Sequence, residues 1–219
     1  MTYLLLITHC SALFPIGVCL WSWKERKDST SLFMLMQFIF IVCFSLYYHT
    51  YDIDEIVTPP EHRKIWTFLD SYQSTALINM SLLYCLRVRP PTFYIISNLT
   101  NTLILTFVAF DLNILIIYFK ILVTISALIV KWKTVYQYIF RYYYTTFILI
   151  IFACLSLWFY IESYKNSGGD AVVYHSLWHL TIFTTAGCGV TLRYKLDSML
   201  YPIVNTRERV YVSSHVLSI

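Results

Sequence analysis

Three histidines that lie far apart in the chain, His49, His175 and His179, carry the strongest chemical signal in this sequence. Imidazole nitrogen is a good ligand for zinc, and three such nitrogens with a fourth position left to water or a substrate oxygen make a catalytic-type donor set. His175 and His179 are four residues apart, as are Ser45 and His49, so each pair shares one helix face. Asp70 adds a carboxylate that could orient a ligand or hold water as a general base. Ser45 could orient water or donate to an oxyanion. A lone His-x-x-x-His pair on a helix is weak evidence, because histidines near a membrane interface often serve only local hydrogen bonds. What matters is whether the chain brings its separate segments to one depth.

Composition says what those segments are. The 219 residues are 58% hydrophobic and only 13% charged, against about 25% charged in an ordinary soluble chain. Apolar stretches of helix length recur along nearly the whole sequence, so the expected fold is all-α: a polytopic membrane protein built as a seven-transmembrane helix bundle. The expected spans are 2–21, 32–50, 66–86, 92–110, 113–131, 143–162 and 173–191, with 192–219 as a short cytoplasmic tail. Pro15 is expected to bend the first span, and Lys120 to snorkel from the fifth. The first segment lacks the basic leader and cleavage pattern of a signal peptide and reads as a retained helix. The six cysteines fall in or beside apolar segments without metal-ligand spacing and read as small core residues.

Charge sets the direction. Lys24, Arg26 and Lys27, then Arg87 and Arg89, then Lys131, Lys133 and Arg141, and finally Arg193, Lys195, Arg207 and Arg209 all fall on one side of the expected bundle. Only Arg63, Lys64 and Lys165 fall in loops on the other. The positive-inside rule then places the N-terminus outside and the C-terminus in the cytoplasm. The net charge of +4 resides in these topology clusters, so nucleic acid is not an expected partner. With this topology Ser45 and His49 end span two, Asp70 begins span three and His175 and His179 begin span seven, all in outer turns. Ionisable groups inside a span are costly and point to function. Their shared depth favours a site for Zn²⁺ on His49, His175 and His179, with Asp70 and Ser45 as catalytic candidates.

The other polar positions carry less. Asn79 reads as an interhelical hydrogen-bond partner, and Asn98, Thr100, Asn101 and Thr102 should turn span four toward the bundle. The aromatic run 136–144 reads as a cytoplasmic interfacial segment. A G-protein-coupled receptor would share the seven spans and the outer N-terminus. The Asp-Arg-Tyr sequence of that class is missing from the end of span three, where Tyr84-Cys85-Leu86-Arg87 stands.

Ser-x-x-x-His late in span two, Asp early in span three and His-x-x-x-His in span seven together resemble the seven-span superfamily of alkaline ceramidases and adiponectin receptors. The matching residues are Ser45, His49, Asp70, His175 and His179. The resemblance implies a zinc-dependent lipid amide or ester hydrolase. Shorter stretches, SALFPI at 11–16, STAL at 74–77, VKW at 130–132 and HSLWH at 175–179, are similar to the branch of plasma-membrane proteins required for myoblast fusion. That likeness implies a multi-pass plasma-membrane factor for cell-cell fusion, acting on lipid mixing and hemifusion. Membrane lipids are its expected partners, with a homodimer and a second fusogenic protein as further ones. The ending SSHVLSI departs from the cysteine-rich tail of mammalian members, which implies a distant, invertebrate one. The outer polar site fits both the hydrolase and the fusion reading.

Overall fold

Apolar runs with few helix breakers become helices, and among the described residues no strand occurs. The computed structural model describes residue 4 and residues 7–53, 60–110, 112–166 and 168–200. A 3₁₀ turn, His9–Ala12, leads into α1 (Leu13–Arg26). There follow α2 (Ser29–Ile53), α3 (Pro60–Cys85), α4 (Pro90–Ala109), α5 (Asn113–Val130), a short α6 (Trp132–Arg141), α7 (Tyr143–Lys165) and α8 (Gly168–Leu200). Three of these contain segments long and apolar enough to cross a membrane: Ser29–His49, Pro90–Ala109 and Tyr143–Ser163. Such a set is consistent with a multi-pass membrane protein. The α7 segment has only 6% of its residues buried, so its apolar surface faces outward, where lipid would satisfy it.

The boundaries have local causes. Pro15 falls in the first turn of α1, where an N–H has no partner inside the helix; the chain ahead of it changes from α at 7–8 to 3₁₀ and back to α, so a local change of helix type lies within the expected first span. Asp28 caps α2, accepting hydrogen bonds from the Thr30 amide at 3.1 Å and the Ser31 hydroxyl at 2.8 Å. At the end of α3, Arg87 is left-handed with φ 55°. The Val88 amide reaches back to Leu83 and the Arg87 amide to Tyr84, which closes the helix as a Schellman turn. Pro90 and Pro91 then occupy the first positions of α4, where a missing amide costs nothing. The aromatic run at 136–144 is not one segment: α6 ends at Arg141 and α7 begins at Tyr143.

Helix α8 is the axis of the bundle, packing most extensively on α7 and also on α1, α3 and the 3₁₀ turn. It has 33 residues and runs nine beyond the expected end of span seven, so part of the expected tail is helix. The core joins Met34, Phe38 and Ile41 of α2 to Met80 and Tyr84 of α3 and Phe183 of α8. Lipid tails are as apolar as leucine, so in a membrane close packing holds helices together more than the hydrophobic effect does. Two glycines of α8 supply that closeness. A Cβ on Gly187 would meet the Phe14 ring at 2.3 Å, and one on Gly189 would meet Cys85 Sγ at 2.6 Å.

At the opposite end from the histidines, α8 is fastened by Arg193. Its Nη2 lies 3.2 Å from Asp28 and its Nε 3.2 Å from Asp197, and Nη1 donates to the Tyr84 carbonyl at 2.9 Å. The guanidinium also lies 3.8 Å from the Tyr84 ring centre, and Arg87 pairs with Asp197 from the other side. Burial alone would raise the Asp28 carboxyl. The Arg193 charge and the Thr30 and Ser31 hydrogen bonds outweigh it and hold that carboxyl below the usual carboxylate range. Sequence reasoning assigned Arg193 to topology only, yet it is buried.

Asn79, expected to bond across helices, is buried with neither amide atom paired. Span four turns only part of its polar set inward. Ser97 and Thr100 are buried and Asn98 and Thr102 exposed, with Thr100 and Thr102 bonded back to their own helix.

Candidate metal centre

Two helices distant in sequence supply the three histidines. His49 sits near the end of α2, one turn after Ser45, and α8 carries His175 and His179 on one face. Nε2 of His49 is 3.1 Å from Nε2 of His179 and 3.4 Å from that of His175, and the last two are 3.1 Å apart. His49 and His179 are buried, at 4% exposure each; His175 is half-buried.

Three Nε2 atoms facing one another are poorly served by hydrogen bonds. A neutral imidazole has one donor and one acceptor nitrogen, so at least one contact of such a triangle sets two lone pairs or two protons against each other. A cation removes the conflict. Ligand nitrogens about 2.0–2.1 Å from a tetrahedral zinc are separated by roughly 3.3–3.4 Å, close to the spacings found here. The donor set therefore suits a metal ion.

A fourth histidine completes the cluster. His9, in the 3₁₀ turn, is buried, and one nitrogen from each of His9, His49 and His179 falls within 4.8 Å of the others, a group suited to holding a metal ion. Its ring centre lies 4.3 Å from that of His179 and 5.6 Å from that of His49. Its Nε2 shares a 2.9 Å hydrogen bond with Ser45 Oγ. Sequence reasoning passed over His9 because it belongs to no four-residue pair. The available signal was an ionisable residue near the outer end of span one, the depth already assigned to His49.

Ser45 is buried at 1% exposure and lies between His9 and an elongated cavity of about 220 Å³. The cavity is lined almost wholly by apolar groups. Ser45, Trp178 and His179 stand at one end and Cys85 and Gly189 at the other, ten residues or about 15 Å farther along α8. Trp178 packs on both α8 histidines, with ring centres 5.1 Å and 4.7 Å away, and Tyr48 covers His49 at 4.8 Å. These aromatics shield the histidines. The backbone of Asp70 is in the first half of α3; its side chain, like that of Lys120, lies outside the described residues.

Compared with known proteins, the chain matches no family model, no curated protein and no solved structure. Fold and site together define an all-helical protein with membrane-length apolar helices and a buried histidine cluster suited to a metal ion.

Proposed function

We propose that this protein is a seven-span membrane hydrolase that uses zinc to cleave an amide or ester bond in a lipid. The carrying observation is the buried histidine cluster, whose His179 lines an apolar cavity beside Ser45. Three helices of membrane length support the membrane reading, and the other four long helices, counting the 3₁₀ turn with α1 and leaving out α6, are taken as the remaining spans. In this reading His49, His175 and His179 hold the ion, which supplies a Lewis acid and an activated water near neutral pH. Asp70 takes up the proton released by water and returns it to the leaving group. Ser45 donates to the carbonyl oxygen as negative charge develops there. The cavity holds one hydrocarbon tail, excludes water, and places the scissile bond beside Ser45 and His179.

A second reading, a plasma-membrane fusion factor of the myomaker kind, has its own support. Two stretches that resemble that family, 11–16 and 175–179, come together in space, with Ser11 Oγ 3.5 Å from the His179 carbonyl. Lipid mixing toward hemifusion, as a homodimer or with a second fusogenic protein, then takes the place of turnover.

The first test is zinc per chain in purified wild type and in the His49→Ala/His175→Ala/His179→Ala variant. About one zinc in wild type and none in the variant is expected of a three-histidine site; no zinc in either removes the metal from both readings. The same pair, expressed in mixed fibroblast populations with lipid products assayed, separates them. Product without cell mixing supports the hydrolase, and mixing without product supports the fusion factor.

A further inference from the structure

Hydroxyls inside helices usually turn back to a carbonyl one turn earlier, and this chain follows the habit. Ser176, Thr181 and Thr185 of α8 bond to Val172, Leu177 and Thr181 at 2.8 Å. Ser45 departs from it. Its hydrogen bond is to His9 Nε2, a residue 36 positions away. The pair is buried on both sides, at 3% and 1% exposure. The His9 ring cannot swing freely, because it lies against His179 and 6.3 Å from the Phe183 ring centre. The turn that carries it is itself held, with Ser11 Oγ donating to the Thr8 carbonyl at 2.6 Å.

We infer that His9 is a positioning residue for Ser45. It donates Nε2–H to Ser45 Oγ, which keeps that hydroxyl off its own helix and frees the serine O–H for the cavity. A serine hydroxyl has one proton and two acceptor sites. With His9 occupying an acceptor site, the proton is available to a carbonyl oxygen placed beside His179. The ligand class that follows is a single-tailed lipid whose head bears a carbonyl: the tail fills the apolar cavity and the carbonyl meets Ser45. This rests on the hydrolase reading for its chemistry but not for its test, which reads binding.

The probe is dodecanohydroxamate, which has one alkyl tail and a carbonyl-bearing, zinc-chelating head. Its affinity is measured calorimetrically for the zinc-loaded wild type and for His9→Leu, His9→Gln, Ser45→Ala and His9→Leu/Ser45→Ala, with zinc content determined for each. Loss of one hydrogen bond predicts about tenfold weaker binding for His9→Leu and for Ser45→Ala. The double variant should be no weaker than Ser45→Ala alone, because His9 acts through the serine. His9→Gln, which can present an amide N–H, should restore most of the affinity. All should retain the zinc content of wild type.

Three results would overturn the proposal. They are wild-type affinity in His9→Leu, independent losses that multiply in the double variant, and zinc lost with His9, which would make it a ligand or a folding element. A wild type that carries zinc but does not bind the probe overturns it as well. Turnover of a long-chain N-acyl lipid is followed in parallel. A wild type that binds with the expected variant pattern but never hydrolyses ends the hydrolase reading and leaves the His9–Ser45 pairing standing.

Discussion

Replacing Arg193 with Met removes a buried cation while keeping an apolar stem of similar reach. In the native protein the guanidinium serves Asp28 and Asp197, the Tyr84 carbonyl at 2.9 Å and the Thr30 hydroxyl at 2.9 Å. Taking away one partner of a buried ion pair costs about 3–5 kcal/mol, because the other charge is left without compensation. The lower end applies here, since Asp197 keeps Arg87 and the Asp28 side chain is 21% exposed. A loss of about 3 kcal/mol lowers the melting temperature of a chain of this size by roughly 6–12 °C. Acid acts on the same ion pair. The Asp28 carboxyl is held low in the folded protein, so its contribution is present above the unfolded value of about 3.9 and is lost as pH falls through the lowered folded value. The variant has no such contribution from Arg193 to lose. Its deficit relative to wild type should therefore shrink below about pH 4. Intrinsic-fluorescence melting in detergent at neutral and acid pH measures both. A neutral-pH deficit under about 2 °C, or one unchanged in acid, would refute the reasoning.

Three further outcomes follow from the packing and the centre. Ala186→Phe pushes a ring into the cavity; it should abolish binding of a single-tailed lipid, keep the zinc content, and cost about 1–3 kcal/mol, checked by calorimetry and melting. Gly187→Ala sets a methyl against the Phe14 ring and should destabilise by a similar amount. Phe14→Ala in the same chain should relieve the clash, so a melting cycle that shows simple additivity contradicts the contact. Stripping zinc with a chelator should lower the wild-type melting temperature, and it should leave the triple-histidine variant unmoved.

The helices were legible because length and apolarity decide them: Ser29–His49, Pro90–Ala109 and Tyr143–Ser163, the segments long and apolar enough to cross a membrane, fall on the expected second, fourth and sixth spans. The depth of His49, His175 and His179 followed from the same lengths plus the charge bias. Rotation about each helix axis was not legible, and that is why His9 escaped notice. Whether a single histidine faces the bundle depends on packing between distant segments. The Arg193 clamp was hidden for a related reason. Its partners lie four, 109 and 165 residues away in sequence, and basic residues beyond a span read equally well as topology signals. Asn79 was misread because burial does not guarantee a partner.

Helix α8 carries two histidines near one end and the arginine clamp near the other, with His179 and Arg193 about 21 Å apart along its axis. One continuous helix joins the two, so displacement at one end is carried toward the other. A slip of one turn at the clamp, about 5.4 Å, would carry His175 and His179 past His49 and break the nitrogen triangle. The histidine cluster near one end of α8 is thus mechanically tied to a group of charged residues near the other. A ligand or modification that disturbs Asp28 or Asp197 would be felt at the histidines without ever touching them.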